Sequence, residues 1–359
     1  MVRIPFTDGP TTELTRLEHE HAAAAAYLGV AMLERANLLD ARVPGMGVSH
    51  APGARRTLSH LWERRLCDPR YMALGMWRHG RLIGTLAVTY RRYSPESEEL
   101  LWSPRSGGWM PQALCAIAPD QRYADLLPPL YEAASAWLGK HDVPLHFASV
   151  LAADQEALDV WQTLGFRQQG IFALLDEAAH NTIKARKAVN GIRIRRAKRE
   201  DAGAIARLLA ESHRYHALLP GSFYAPDDGD RHYATVVQRE LSSPDSPHYI
   251  VAEEQGQVIG CASSVLRDAE LADPARYMQP MPLGYIDEVA VTQQARGRGV
   301  GTALVAKLLT EFEARGIRHF GIHFLVNNPL ASRAWLRLGF RPLEIRLQRG
   351  AALSPLTMA

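Results

Sequence analysis

The sequence predicts an α/β fold arranged as two tandem copies of one domain. Its 359 residues exceed the length of an ordinary single domain. Segments with the two-residue period of strands alternate with segments whose apolar residues recur every three or four positions, as they do in helices. Two stretches of the first half also return in the second half at nearly the same offset, and this repetition indicates a duplicated domain.

The repetition rests on two pairs of segments. HGRLIGTLAV has a Gly-x-x-x-Gly frame ending at Gly84, and QGQVIGCASS repeats that frame at Gly260, 176 positions later. DQEALDVWQTLGF, which ends at Phe166, matches NPLASRAWLRLGF, which ends at Phe340, 174 positions later. We therefore expect a first domain over residues 1–175, a polar linker over 176–191 and a second domain over 192–359.

The periodicity places the elements of each copy in the same general order. In the first copy we expect a long helix over about Thr12 to Leu39, strands near Tyr71 to Trp77, Arg81 to Tyr90 and Gln112 to Ala118, and a helix carrying Leu130, Ala134 and Leu138. In the second copy we expect a strand near Ile192, helices carrying Ile205 and spanning Tyr233 to Leu241, a hairpin around Gln255, a strand over Leu283 to Val291, a helix from Val300, a strand over His319 to Val326, a helix over Asn328 to Leu338 and a final strand.

Composition argues against several classes of partner. The formal net charge is +3 and no run of five or six like charges occurs, so nucleic acid is not expected as a partner. No stretch approaches the ~20 apolar residues of a membrane span, and the first residues lack a signal-peptide core, so we expect a soluble cytoplasmic protein without a membrane partner. Three scattered cysteines without a CxxC spacing disfavour disulfides and zinc, and we expect buried cysteines and no metal.

The segment ARGRGVGTAL (295–304) has three glycines at alternate positions, although glycine costs conformational entropy on folding. They stand between a strand ending at Val291 and a helix beginning at Val300, where free backbone N–H groups and the helix dipole can hold a phosphate. A plain surface turn is the alternative. The first copy has RYADLLPP (122–129) here, with two prolines that lack N–H groups, so we expect no such anion site in the first domain.

A Rossmann dinucleotide loop fits these glycines less well. Their order is Gly-x-Gly-x-Gly, no parallel βαβ unit opens the chain, and no acid follows about 20 residues later at the end of the next strand.

The segment YIDEVAVTQQARGRGVGTAL, with Arg296-x-x-Gly299-x-Gly301, is followed by NNPLASRAWLRLGF. Together they resemble the acyl-CoA-binding core of the GNAT acetyltransferase superfamily. The resemblance covers nearly all of the second half, and the first half only as a skeleton, as in tandem GNAT proteins with one degenerate copy. It implies two tandem GNAT-type domains, each a mixed, mostly antiparallel twisted sheet flanked by helices, with a splayed central strand pair.

The resemblance also implies acetyl-CoA as the acyl donor. The glycine-rich backbone would hold its pyrophosphate with the charges of two arginines, the preceding strand would pair with the pantetheine arm, and Asn328 would contact the donor or only cap its helix. The residues implied are Val289, Ala290, Val291, Arg296, Gly297, Arg298, Gly299, Val300, Gly301, Thr302 and Asn328.

An amine acceptor needs a base, because a primary amine is almost fully protonated at pH 7. Asp287 and Glu288 lie on the strand that commonly carries the base in this superfamily, and strand alternation sends them to opposite faces unless a bulge intervenes. We prefer Glu288, and a solvated or salt-bridged acid is the alternative for each.

One position departs from the superfamily pattern. Trp335 stands where a tyrosine often protonates the departing thiolate, and the first copy has Trp161 there. An indole N–H is not an acid in this range, so water or another side chain must supply that proton. We expect both tryptophans to be packing residues.

The acceptor pocket is expected along residues 213–230, between the first two helices of the second copy. Aromatic side chains and acids there suit an amine with an apolar body, and two histidines are either proton carriers or structural residues. The residues concerned are Tyr215, His216, Phe223, Tyr224, Asp227, Asp228, Asp230 and His323.

Three functions remain open. The first is N-acetylation of a small-molecule amine by direct transfer in a ternary complex, since no cysteine or serine stands in a nucleophile setting. The second is acetylation of a protein, which an open cleft favours and a closed pocket formed with the first domain disfavours. The third is a non-catalytic acyl-CoA sensor. The first domain either completes the acceptor site or only packs, and a monomer or homodimer is expected.

Overall fold

A single mixed sheet with helices on both faces forms the framework of the protein. The structure is a computed structural model that describes residues 2–4, 12–44, 51–184, 189–243, 248–267 and 279–350. Within these residues, fourteen strands join into one sheet. No helix of this part of the chain is both long and apolar enough to cross a bilayer.

The first half supplies eight strands and five helices to the described structure. The strands are β1 (Val2–Ile4), β2 (Thr12–Arg16), β3 (Tyr71–Arg78), β4 (Arg81–Arg92), β5 (Ser106–Met110), β6 (Cys115–Ile117), β7 (His146–Leu151) and β8 (Arg167–Leu175). The helices are α1 (Ala22–Leu39), α2 (Ala51–Leu66), α3 (Tyr123–Lys140), α4 (Gln155–Thr163) and α5 (Glu177–Lys184).

The second half supplies the remaining described elements. Its strands are β9 (Arg193–Arg196), β10 (His248–Glu254), β11 (Gln257–Arg267), β12 (Leu283–Val291), β13 (His319–Leu325) and β14 (Phe340–Arg349). Its helices are α6 (Ala202–Ala217), α7 (Pro226–Glu240), α8 (Val300–Glu313) and α9 (Pro329–Arg337). The strand expected over Leu283 to Val291 and the helix expected from Val300 are confirmed.

Several expected elements of the first half are corrected by the structure. The long opening helix starts at Ala22, because Thr12–Arg16 is a strand that pairs with β3 and buries alternate side chains. The strand expected over Gln112 to Ala118 is reduced to Cys115–Ile117. The sequence analysis did not find β5, whose glycines allow α3 to pack close: a Cβ on Gly108 would lie 2.6 Å from Leu138.

Three segments expected as loops or linker contain helix. The counterpart of the glycine-rich segment, 122–129, belongs mostly to α3, which starts at Tyr123 and includes both prolines. The linker expected over 176–191 contains α5, whose Ile183 is buried. The segment 213–230 begins in α6 and ends in α7, so the connection is limited to 218–225.

The order of the strands shows that the two halves exchange their last strands. The sheet runs β1-β2-β3-β4-β5-β7-β14-β8-β13-β12-β11-β10-β9, and β6 pairs with β4. The final strand of the chain, β14, lies between β7 and β8 of the first half. In turn β8 pairs with β13 of the second half. The expected boundaries at 175 and 192 stay a prediction, but neither half closes its sheet alone.

The hydrophobic cores follow this exchange. Leu343, Ile345 and Leu347 of β14 are buried in the core formed by the first half. In the second half, Ile250 and Ala252 face the core beneath α8, while Tyr249 and Val251 face the core beneath α6 and α7. Alternate residues of one strand therefore pack against helices on opposite faces of the sheet.

Candidate active site

A cavity of about 1170 Å³ lies where the two halves meet. Sites for one drug-sized ligand commonly measure about 300–1,000 Å³, so this volume can hold two reactants together. Its wall contains the glycine-rich segment, the end of β12 and the start of α9 from the second half, and side chains of β5 and β7 from the first half. The first half therefore lines the cavity directly, as one of the two roles foreseen for it requires.

The cavity opens where β12 and β13 separate. These parallel strands pair only from Leu283 to Ile286 on β12, opposite His319 to Ile322 on β13. On its other edge β12 stays paired with β11 as far as Val291. The expected splay of the central strand pair is thus confirmed. Residues 289–291 line the cavity, and their backbone edge on the side of β13 is not paired with that strand.

A β-bulge brings two acids to the same cavity. Ser264 pairs with Ile286 and Ser263 pairs with Glu288, so Asp287 is an extra residue on β12. A bulge breaks strict alternation. Asp287 and Glu288 consequently both line the cavity, which the sequence analysis made conditional on such a bulge.

Glu288 has a strongly shifted acidity. Burial, with a smaller effect from the charge of Asp287, raises the pKa of Glu288 to about 8, and the hydroxyl of Tyr233 partly offsets this by donating a hydrogen bond to Oε1 at 3.3 Å. A carboxyl group with a pKa this close to neutral can take up and release protons under working conditions.

Asp287 shares this environment. Solvent reaches the Asp287 side chain through the cavity, and protein surrounds this side chain on most other sides. Burial raises the pKa of Asp287, and the guanidinium of Arg267 opposes the rise. The two acids therefore form a coupled pair that does not carry two full charges easily.

The glycine-rich segment turns sharply before α8. Gly297 and Gly299 have φ angles of 77° and 86°, in the left-handed region where a Cβ is strained. The first hydrogen bond of this turn into α8 runs from Ala303 to the carbonyl of Gly299 at 3.0 Å. The N–H groups of residues 300–302 thus have no carbonyl of their own helix, which is the donor set that binds phosphates.

The two arginines of this segment differ. Arg296 lines the cavity and donates from Nε to the carbonyl of Val291 at 3.1 Å. Arg298 does not line the cavity, because Glu254 of the hairpin holds its guanidinium through two hydrogen bonds, one of 3.0 Å. The expected contribution of the Arg298 charge to donor binding stays a prediction, and in the structure a surface ion pair with Glu254 engages its guanidinium.

The side chain of Asn328 caps the N-terminus of α9 and also makes a second contact. Its Oδ1 accepts from the N–H of Ala331 at 3.0 Å, and its Nδ2 lies 2.9 Å from Nε2 of His216. Nε2 must then be unprotonated. Burial lowers the pKa of His216 to about 4, with a smaller effect from His213, so His216 is neutral at pH 7.

The aromatic residues expected at the acceptor pocket do line the cavity. Tyr215, His216, Phe223 and Tyr224 are all in its wall, and the Phe223 ring meets that of Phe147 from the first half at 5.7 Å. The acids of the same segment do not line the cavity. Asp228 is a buried residue of α7 and Asp230 pairs with Arg214, so the structure does not place these acids in the wall of the cavity.

The two tryptophans lie in packed settings, as expected. Trp161 packs edge-on against Tyr131 and Phe166. Trp335 packs edge-on against Phe340 at 5.3 Å and also lines the cavity. The expected burial holds for Cys115 and Cys261, but Cys67 is exposed.

Several polar residues of the cavity wall were not predicted from the sequence, and five of them matter for the chemistry below. They come from strands and from α7, where a periodic pattern does not tell a cavity-facing side chain from a solvent-facing one. They are Tyr233, Arg267, Tyr285, Glu344 and Arg346. A usable signal exists for Glu344, an acid between the apolar residues of PLEI on a strand.

Comparisons with known proteins agree with this architecture. Residues 211–340 match the acetyltransferase (GNAT) family. A GCN5-related N-acetyltransferase from Sphaerobacter thermophilus is similar with a TM-score of 0.56 and 16% identity, covering 94% of this chain and 95% of that one. A tandem GNAT protein from the clavulanic acid biosynthesis pathway gives 0.50 and 16%, covering 94% and 98%.

A third structure, a glucosamine N-acetyltransferase region of a fungal multi-domain β-N-acetylglucosaminidase, gives a TM-score of 0.54 and 15% identity, covering 95% of this chain and 38% of that one. No curated protein matches the sequence. At these identities the structures share the fold alone.

Proposed function

We propose that this chain, whose residues 211–340 match the GNAT acetyltransferase family and whose fold is that of tandem GNAT structures, transfers an acetyl group from acetyl-CoA to the amine of a small molecule. The observation that carries the proposal is one cavity, with a glycine-rich turn of free N–H groups at one part of its wall and an acid of raised pKa at another. The acceptor and donor would meet there in a ternary complex.

The residues present fit the donor. The free N–H groups of residues 300–302 and the left-handed glycines suit a pyrophosphate, and Arg296 adds a positive charge. The unpaired edge of residues 289–291 suits the amide groups of a pantetheine arm, which would extend β12 as an added strand does. Acetyl-CoA supplies the acetyl group as a thioester.

Glu288 would act as the base. Its carboxylate accepts the proton of the acceptor ammonium, and the freed lone pair of nitrogen forms a bond to the carbonyl carbon as the carbon–sulfur bond breaks. The electron pair of that bond leaves with the thiolate. The new amide nitrogen then loses its second proton, and the thiolate gains one to become the free thiol. Because the indole of Trp335 does not ionise in this range, water or another cavity side chain relays this proton.

Direct transfer is favoured over an acylated enzyme. Burial raises the pKa of Cys115 and of Cys261 to about 12, so neither thiol is a nucleophile at neutral pH. Neither these two nor Cys67 is part of the cavity wall. A small acceptor is favoured over a protein because both halves enclose the site, with Trp109 and Phe147 of the first half in the same cavity wall as the acids of the second.

Thiol release from acetyl-CoA over a panel of small amines and lysine-containing peptides tests this proposal. Glu288→Gln should lower kcat by about 100-fold or more, the usual contribution of a general base, while coenzyme A affinity by calorimetry stays within about twofold. Asp287→Asn should have a smaller effect, and Glu132→Gln, an exposed acid on α3, none. Coenzyme A binding without thiol release would favour an acyl-CoA-binding protein, and turnover of peptides alone would contradict a small acceptor.

A further inference from the structure

A second polar cluster lies in the same cavity, on the strand that the halves exchange. Glu344 and Arg346 occupy alternate positions of β14, so they point to one face, and both line the cavity. We call these two residues the distal pair. Across β14, Arg346 is in register with Ser149 on β7 and Gly170 on β8. The distal pair thus lies at the junction of the two halves.

Glu344 lacks a partner for one oxygen. The side chain is 5% exposed and accepts a hydrogen bond from Gln279, which is 4% exposed. Among the described residues, Oε1 of Glu344 and Oε1 of Gln279 have no hydrogen-bond partner. Leaving a buried acceptor unpaired costs about 1–3 kcal/mol, so these two oxygens call for an N–H donor from a ligand.

Arg346 is the positive member of the pair. It is half-buried, and no hydrogen bond or ion pair joins its guanidinium to a residue in the described ranges. The nearby guanidinium of Arg267 stacks on Tyr285, with its Cζ 3.2 Å from the ring centroid. Burial raises the pKa of Glu344 to about 7, against the hydrogen bond from Gln279 and the charges of Arg346 and Arg267. Two guanidinium groups thus act on one carboxyl group, so positive charge is in excess around Glu344. This excess suits an anion.

Two phenols interact with charges of both the distal pair and the acidic pair. Burial raises the pKa of Tyr224 and of Tyr285, the charge of Asp287 adds to the rise in both, and the charge of Arg346 opposes it in both. Both phenols line the cavity. An acceptor would therefore extend from the acidic pair, past the two rings, to the distal pair.

We propose that the acceptor carries, at the end remote from its reacting amine, an amino-acid head group whose carboxylate binds Arg346 and whose ammonium binds Glu344 and Gln279. The substrate class is thus an amine with a zwitterionic far end, such as a diamino acid. This inference rests on the proposed acetyl transfer for the orientation of the acceptor, and on the distal pair alone for its head group.

Calorimetry on the full chain saturated with coenzyme A tests the inference. The probes are 2,4-diaminobutyrate, ornithine and lysine, each with its analogue lacking the carboxylate, its analogue lacking the α-ammonium and the plain alkylamine. The best diamino acid should bind at least about 10-fold more tightly than each of its analogues, the gain expected from a charge-assisted hydrogen bond. Arg346→Gln should abolish the gain from the carboxylate only, and Glu344→Gln the gain from the ammonium only.

Arg341→Gln is the matched control, because Arg341 is an exposed arginine of the same strand whose side chain, among the described residues, donates to the carbonyl of Leu336 alone. Equal affinity for diamino acids and alkylamines, or a carboxylate gain that survives Arg346→Gln, would overturn the inference. Thiol release measured on the same probes separates the two proposals. Selective binding without thiol release would support the head-group site and contradict acetyl transfer. Acetylation of alkylamines without selectivity would support acetyl transfer and contradict the head-group site.

Discussion

A single extra residue on β12 decides the chemistry of the site. Without the bulge at Asp287, one of the two neighbouring acids would face away from the cavity. With it, both carboxyl groups line one cavity, and the charge of Asp287 adds to the effect of burial in raising the pKa of Glu288. The raised pKa of Glu288 is therefore a consequence of backbone geometry as well as burial.

The pH dependence of kcat/KM should report this residue. Activity should rise with pH through about 8 as Glu288 loses its proton, and this limb should vanish in Glu288→Gln. Two acceptors whose amines differ in pKa separate the enzyme from the substrate, because only a substrate limb moves with the acceptor. A profile that follows the acceptor pKa alone would contradict the assignment.

Stability should change in the opposite direction. A carboxyl group whose pKa is raised on folding binds its proton more tightly in the folded state, so its contribution is present at low pH and is lost as pH rises from ~4.3 to about 8. Glu288→Gln should therefore leave the free energy of unfolding unchanged at pH 4 and raise it at pH 9, by an amount on the order of 1 kcal/mol or more.

At the scale of elements, glycine is present for different physical reasons at the three positions before and within α8. Gly297 and Gly299 need the left-handed conformation, so the turn itself requires them. Gly301 is in the first turn of the helix, where a Cβ would meet only Val291, at an ordinary 3.9 Å. Folding does not require glycine at this position, and the proposed function explains it by close approach of a ligand.

Gly301→Glu should separate binding from stability. A carboxylate in the first turn of a helix interacts favourably with the helix dipole by about 0.3–1 kcal/mol, so the melting temperature should not fall. The same charge should repel a pyrophosphate and weaken coenzyme A binding at least tenfold by calorimetry. Gly203→Glu, at the equivalent position of α6, is the control and should not alter binding. Unchanged affinity in Gly301→Glu would exclude a phosphate at this turn.

At the scale of the whole molecule, strand exchange makes the two halves one structure. The core of the first half is completed by β14, the last strand of the chain, and the sheet of the second half is extended by β8. The cavity lies at the same junction, so the wall of the site depends on both halves being folded.

Unfolding should therefore be a single cooperative transition. Ile345→Ala on β14 removes a side chain buried in the core of the first half and should cost about 2–5 kcal/mol. Calorimetric and denaturant curves should keep one midpoint, lowered for the whole chain, and the exposed Arg341→Ala should leave it in place. Two separate transitions, with only one of them moved by Ile345→Ala, would show independent domains.

The sequence by itself determined the elements whose signals are local. The strand over 283–291, the turn with its glycines and the helix from Val300 follow from periodicity and from conformations that only glycine adopts readily. The duplication followed from repeated residues alone. The splayed sheet followed instead from the family resemblance carried by residues 285–304 and 327–340.

Tertiary structure decided which side chains share the cavity, because that depends on contacts between residues far apart in sequence. The bulge that turns Asp287 inward, the pairing of Arg298 with Glu254 and the placement of Glu344 and Arg346 all arise from partners on other strands. A periodic pattern predicts which face of a strand a residue lies on. Which neighbour covers that face is determined only when the sheet assembles. The exchange of β8 and β14 is the largest such choice, and it places the site between the halves.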